Sequence, residues 1–255
     1  MMPIDASSIA DKLTAFLKNA FQKSGFSRAV IATSGGVDSS TSMVLTVRAL
    51  GAGNVYPVLL PYGDLNAQGV VDARAVITML GIPPGNATLV DVRPLVDQII
   101  SLDPAMDNVR RGNVMARVRM TVLFDLAKKY TALVIGTENR SEHLLGYFTR
   151  FGDEASDIEP LRTLYKTQVY KLAGFLKIPP SILEKQPTAG LWVGQTDEGE
   201  FGFTYKEADE ILFLLYDEKK SVEEVVASGI DRAVVEKVKA WVDKNSFKHH
   251  LPIVR

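Results

Sequence analysis

Ser34-Gly35-Gly36-Val37-Asp38-Ser39 follows directly on an apolar, β-branched run at residues 28–33 and precedes a helical pattern. A strand, a small-residue turn and a helix in that order aim backbone N–H groups at an anion. Gly35 and Gly36 allow the tight curve, Ser34 and Ser39 supply hydroxyl donors, and Asp38 supplies a hard oxygen for a magnesium ion on the phosphates. The Gly-Lys-Ser/Thr that grips β- and γ-phosphates is missing, so transfer of a γ-phosphoryl group is disfavoured. A plain strand-to-helix turn, with Asp38 as a charge at the helix start, would account for the same residues without chemistry.

Such a loop needs a sheet behind it. Short apolar runs at 28–33, 54–60, 87–92 and 132–136 each lead into a longer helical pattern, which predicts an α/β fold: a Rossmann-like, doubly wound, mostly parallel sheet with helices on both faces. Asn66 is positioned to cap a helix reaching Leu80, with Gly81 as its stop. A longer helix is expected over 109–129, its stripe formed by Met115, Val118, Val122, Leu123 and Leu126. Ligands of such sheets sit at the carboxyl ends of the strands, so the loops after Thr33, Leu60 and Gly136 should face one site. Residues 186–202 carry four glycines and read as a mobile loop. A small helical subregion is expected at about 204–243, where Thr204/Glu207 and Ser221/Glu224 form capping boxes, within a single domain spanning 1–255.

Composition narrows the classes. Over 255 residues, 29 Lys plus Arg balance 30 Asp plus Glu, leaving no global field for nucleic acid or an anionic membrane. No cysteine is present, which removes thiolate nucleophiles, Cys-bound zinc and sulfur transfer. The first twenty residues are amphipathic rather than signal-like, and no run reaches transmembrane length, so a cytoplasmic protein is expected. His143, His249 and His250 show no metal-ligand spacing.

The loop at 34–39 resembles that of the N-type ATP pyrophosphatases, shared by GMP, asparagine and argininosuccinate synthetases, tRNA thiolases and NAD synthetases. Discrimination comes from blocks in fixed order: Gly136-Thr137-Glu138-Asn139-Arg140-Ser141-Glu142, then Gly146 to Asp157, Lys166, and Pro187-Thr188-Ala189-Gly190-Leu191-Trp192. That series, with Arg111 to Met120 upstream, is similar to the ammonia-dependent NAD synthetases from about residue 28 to 252. The resemblance implies ATP on Ser34, Gly35, Gly36, Val37, Asp38, Ser39, Thr137, Lys166 and Thr188, and Mg²⁺ between Asp38 and Glu142. It implies deamido-NAD on Arg117, Arg150, Asp157 and Lys248, and a homodimer with the long helix near its interface. Ala32-Thr33, Arg150 and Phe247 depart from the family's usual residues.

The implied chemistry is AMP-forming. The nicotinate carboxylate attacks the α-phosphorus of ATP, Lys166 and Mg²⁺ neutralise the departing pyrophosphate, and ammonia displaces AMP. Asp153 is the candidate for orienting ammonia or taking its proton. Free ammonia fits a chain lacking the amidase domain and cysteine of glutamine-using relatives. Two rival expectations are a GMP-synthetase-type subunit and, from another class, a helix-turn-helix DNA binder over 221–242, with Lys237 and Lys239 facing the nucleic acid.

Overall fold

The computed structural model describes residues 4–249. Four strands form one parallel sheet: β1 (Ala29–Ala32), β2 (Val55–Leu59), β3 (Thr88–Leu89) and β4 (Leu133–Ile135), in the order β3-β2-β1-β4. The chain therefore winds outward from β1 through β2 to β3, then returns to place β4 on the other side of β1. That reversal lies between β1 and β4 and is where a doubly wound sheet opens a crevice. The α/β expectation holds.

Residues alternate between faces as the strand period requires. Ala29 and Ile31 join a core with Leu17 and Phe21 of α1 (Ala6–Ser24), Met43 and Leu45 of α2 (Val37–Leu50), Val76 of α3 (Ala67–Met79), Leu172 of α7 (Lys166–Phe175) and Ile182 of α8 (Pro180–Leu183). Val30, Val58 and Val134 face the opposite side. There they pack with Val96 of α4 (Arg93–Ile100) and with Met115, Leu123 and Leu126 of α5 (Asn108–Tyr130).

The caps follow the sequence. Asn66 accepts from the Gly69 N–H at 3.1 Å, and Gly81 adopts φ +63° just beyond α3. The expected third run at 87–92 gives only a two-residue strand. Val90 and Val92 still donate to Leu59 and Pro61 at 2.9 Å, so the segment is extended but its ladder is broken.

A second core lies beside the sheet. Leu145 of α6 (Arg140–Leu145), Phe201 of α9 (Asp197–Phe201), Tyr205 and Ile211 of α10 (Tyr205–Leu212), Val225 of α11 (Val222–Ala227) and Val235, Val238 and Val242 of α12 (Arg232–Asn245) close on one another. Both predicted capping boxes form, at Thr204/Glu207 and Ser221/Glu224. Lys237 donates to the Gly202 carbonyl and Lys239 pairs with Asp243, each at 2.6 Å. The two lysines assigned to DNA in the helix-turn-helix expectation are thus spent inside the molecule.

Candidate active site

Gly36 caps α2 in an extended conformation, so the helix begins at Val37, three residues earlier than its pattern suggested. Val37, Asp38 and Ser39 occupy its first turn, where backbone N–H groups lack helical partners. Gly35 has φ +74°, and a Cβ there would stand 2.2 Å from the Gly69 carbonyl oxygen. Only glycine lets this turn press against the start of α3. Ser34 and Ser39 hydroxyls lie 3.2 Å apart, and Ser34 Oγ accepts from the Gly36 N–H at 3.3 Å, which holds the loop open toward the crevice.

A cavity of about 530 Å³ opens there, lined by Ser34, Gly36, Asp38 and Ser39 from the first crossover and by Thr137, Glu138 and Glu142 from the loop after β4. Lys166, at the start of α7, is buried at its base and donates to Asp38 Oδ2 at 2.6 Å and to Glu142 Oε1 at 2.9 Å. Asn139 fixes both acids. Its side-chain amide donates to Asp38 Oδ1 at 3.0 Å, while its own N–H and oxygen form a capping box with Glu142. Burial works against the Lys166 ammonium, yet the Asp38 and Glu142 charges outweigh it and hold the group well above the ordinary lysine pKa. Burial pushes the Glu142 carboxyl up, against the pull of Lys166.

Residues 186–202, expected as a mobile loop, carry hydrogen bonds of their own and pack against α5. Thr188 Oγ1 donates to the Gln195 carbonyl at 2.8 Å and accepts from the Gly190 N–H at 3.0 Å. Leu191 sits against Gly112 of α5, where a Cβ would meet it at 2.8 Å. Asp197, at the start of α9, is buried and accepts from Tyr147 Oη at 3.1 Å and Tyr205 Oη at 3.0 Å.

The remaining predicted residues divide. Lys248 lines the cavity, its ammonium held by the Gly146 and Phe148 carbonyls at 2.6 and 2.9 Å. Asp153 also lines it, but one oxygen accepts from the Thr149 N–H at 2.9 Å and so ties the 149–153 turn together. Its face is open to the cavity, while the dense protein behind it pushes the carboxyl pKa up. Arg117, Arg150 and Asp157 lie outside the cavity lining. Arg117 Nε donates to the Arg150 carbonyl at 3.2 Å, the Arg150 guanidinium rests 5.4 Å from the Phe247 ring, and Asp157 accepts from the Val134 N–H at 2.7 Å.

Sequence reading missed Asn139, Glu138, Tyr147, Asp197 and Tyr205. Asn139 was legible, since Asn-x-x-Glu is itself a helix-start signature. Glu138 is buried beside the site and faces Arg162 at 3.1 Å without an aligned hydrogen bond, and burial raises it to about 8. Its neighbour Glu159 is likewise raised to about 8 by burial. His250 lies outside the described residues.

Among the described residues no helix is long and apolar enough to cross a membrane, and no group of three or more His, Cys, Asp or Glu is arranged to hold a metal by itself. Two carboxylates leave a hard cation incomplete unless a ligand such as a phosphate adds oxygens.

Comparison with known proteins agrees with this arrangement. The model of the family described as NAD synthase matches residues 9–252. An NH(3)-dependent NAD(+) synthetase of Fusobacterium nucleatum is 39% identical over 253 residues, covering 99% of this chain and 97% of the relative. Among solved structures, an NMN synthetase from Francisella tularensis superposes with a TM-score of 0.87 at 33% identity, covering 99% of each chain. An NH3-dependent NAD synthetase from Campylobacter jejuni does so with 0.83 at 29%, covering 99% and 100%. A match over nearly the whole length, with the crevice, the phosphate loop and Lys166 in one place, makes this chain a member of the NAD synthase family.

Proposed function

We propose that this chain is an NH3-dependent NAD synthetase: an ATP-dependent ligase that adenylates the carboxylate of deamido-NAD and gives the acyl group to ammonia. The observation that carries the reading is Lys166, buried between Asp38 of the phosphate loop and Glu142 of the opposite crossover. ATP lies along residues 34–39 with Thr137, Lys166 and Thr188 around it. A carboxylate oxygen of the acceptor attacks the α-phosphorus, and the bond to the β-phosphate oxygen breaks. Lys166 then faces the charge that develops on pyrophosphate, where a preorganised donor lowers the barrier most.

Asp38 and Glu142 would hold Mg²⁺, which supplies charge neutralisation on the phosphates. The donor set fits, because two hard carboxylates share a single lysine and burial drives Glu142 toward its neutral form. Such an acidic pair gains from a further cation.

In the second half-reaction the ammonia nitrogen forms a bond to the acyl carbon, AMP departs with the electron pair of the mixed anhydride, and the nitrogen loses a proton. Asp153 orients the ammonia or takes that proton, and burial raises its carboxyl pKa in the direction that makes it a better proton acceptor. Deamido-NAD is placed on Lys248 inside the cavity and on Arg117, Arg150 and Asp157 outside it. Arg117 and Arg150 stand on one side, linked by the hydrogen bond from Arg117 Nε to the Arg150 carbonyl. The protein works as a homodimer in the cytoplasm. Val109, in the first turn of α5, and Leu102, in the turn before it, are 59% and 81% exposed, which supports pairing near that end of the helix.

The test is turnover with ATP, Mg²⁺, ammonium and either deamido-NAD or nicotinate mononucleotide, scoring AMP against ADP. AMP and NAD are the expected products. The mononucleotide arm follows from the NMN synthetase likeness, and preference for it would move the substrate without moving the chemistry. ADP as product would sink the mechanism.

A further inference from the structure

Asp197 presents a physical problem. It sits on the 186–202 segment, is 3% exposed, and has no hydrogen-bonded cation; both of its oxygens are taken by phenols, Tyr147 and Tyr205. Burying a carboxylate is costly unless the charge acts on something nearby. Among its charge interactions the foremost is with Lys166. Between the two stands the Tyr205 ring, with Lys166 Nζ 5.1 Å from its centroid.

Tyr205 is engaged from the segment twice. Its hydroxyl donates to Asp197 Oδ2, and its backbone N–H donates to Glu198 Oε1 at 2.9 Å. A phenol that donates to a carboxylate gains electron density on its ring, so its face attracts an ammonium more strongly. Tyr147 braces the same acid, donating also to Glu200 Oε1 at 2.9 Å, and Glu200 in turn accepts from Gln195 Nε2 at 2.7 Å. A continuous chain of bonds thus runs from the middle of the segment to the ring that carries Lys166.

With both Lys166 partners called on by a cation when ATP binds, the lysine needs another anchor to reach the pyrophosphate. The Tyr205 face supplies it, and the segment holds Tyr205 in place through Asp197 and Glu198. We infer that Asp197 is the positioning residue through which the 186–202 segment, by way of Tyr205, sets Lys166 for the adenylation step. It touches no reacting atom. The inference rests on the reading of the chain as an adenylating ligase.

The full-length protein, Asp197→Asn, Tyr205→Phe and the double variant are compared by steady-state turnover and by exchange of labelled pyrophosphate into ATP without ammonium, which reads adenylation alone. Asp197→Asn is expected to lower kcat and exchange together by about tenfold or more, with KM for ATP within about threefold, because the loss falls on the transition state. Tyr205→Phe keeps the ring and removes only the link, so it lowers both by a smaller factor, and the double variant is no worse than Asp197→Asn. Tyr205→Phe also serves as the readout if Asp197→Asn does not fold. Near wild-type exchange in the variants, a rise in KM with kcat unchanged, or effects that multiply in the double variant would each overturn the inference. Failure of the ligase reading looks different, since the wild type would then form no AMP.

Discussion

Around Lys166, Asp38 and Glu142 meet the ammonium at 2.6 and 2.9 Å, and Asn139 occupies their remaining oxygens. Around Arg162, nearby in the same fold, Glu138 Oε1 and Oε2 and Glu159 Oε2 are buried without an aligned donor. The two acidic clusters flank one short loop, residues 136–142, and differ in satisfaction rather than in composition. In the first, the lysine charge pulls against the burial that pushes the Glu142 carboxyl up, and both acids hold its ammonium. In the second, protonation is the cheaper answer, and both glutamates are pushed up to about 8 by burial. Neighbouring sites of like composition can therefore differ in how they respond to loss of their cation.

Removing the cation from the first cluster has the largest expected effect. Lys166→Ala leaves Asp38 and Glu142 without their shared ammonium and removes the donor proposed for pyrophosphate. A fall in kcat of roughly 10²–10³ is expected, the size seen when a preorganised charge-stabilising donor is removed. Breaking a buried pair from one side should also cost about 3–5 kcal/mol of stability, read by urea denaturation without nucleotide. A kcat within tenfold of wild type would place the charge stabilisation elsewhere.

The second cluster is reached by pH. The folded-state pKa of Glu138 and Glu159 is raised from the ordinary 4.5 to about 8, so between those values the folded protein holds protons that the unfolded chain has released. Stability must then fall as pH rises through that window and level off above it. Glu138→Gln removes one of the two groups and relieves the other. The fall in Tm between pH 5 and pH 8.5 should shrink, with the variant ahead at pH 8.5 by roughly 4 °C, equivalent to 1–2 kcal/mol in a chain of this size. An unchanged fall would show that Arg162 already compensates the ionised pair.

The contrast also marks how far the sequence could be read. Residues 34–39 were legible because strand, glycines, hydroxyls and Asp38 are contiguous and each has a local reason to be there. Lys166 and Glu142 were found through the order of blocks, but the meeting of Lys166 with Asp38 spans 128 residues and that of Asn139 with Asp38 spans 101, and both are set by the β1–β4 reversal. No local period reveals that. Glu138 reads as one more polar loop residue until the fold buries it, and Asp197 as a helix-start acid until two tyrosines from other elements close on it. The contacts of residues 186–202 were hidden for the same reason: glycine content reports the backbone's freedom, not the partners it finds.

The smallest effect sharpens the comparison from the other side. Arg162→Gln takes away the cation nearest Glu138, as Lys166→Ala does for Asp38 and Glu142. Its acids, however, already favour the neutral form, so the charge that would be left uncompensated is largely absent at pH 6. A loss of about 1 kcal/mol or less is expected there, in the range of a single net hydrogen bond. Above pH 8, where Glu138 ionises, the loss should grow, because the arginine is then needed to face a real negative charge. Urea denaturation of Arg162→Gln at pH 6 and pH 8.5 reads the difference directly. A large loss already present at pH 6 would mean that Glu138 is ionised in the fold, and the two clusters would then be alike.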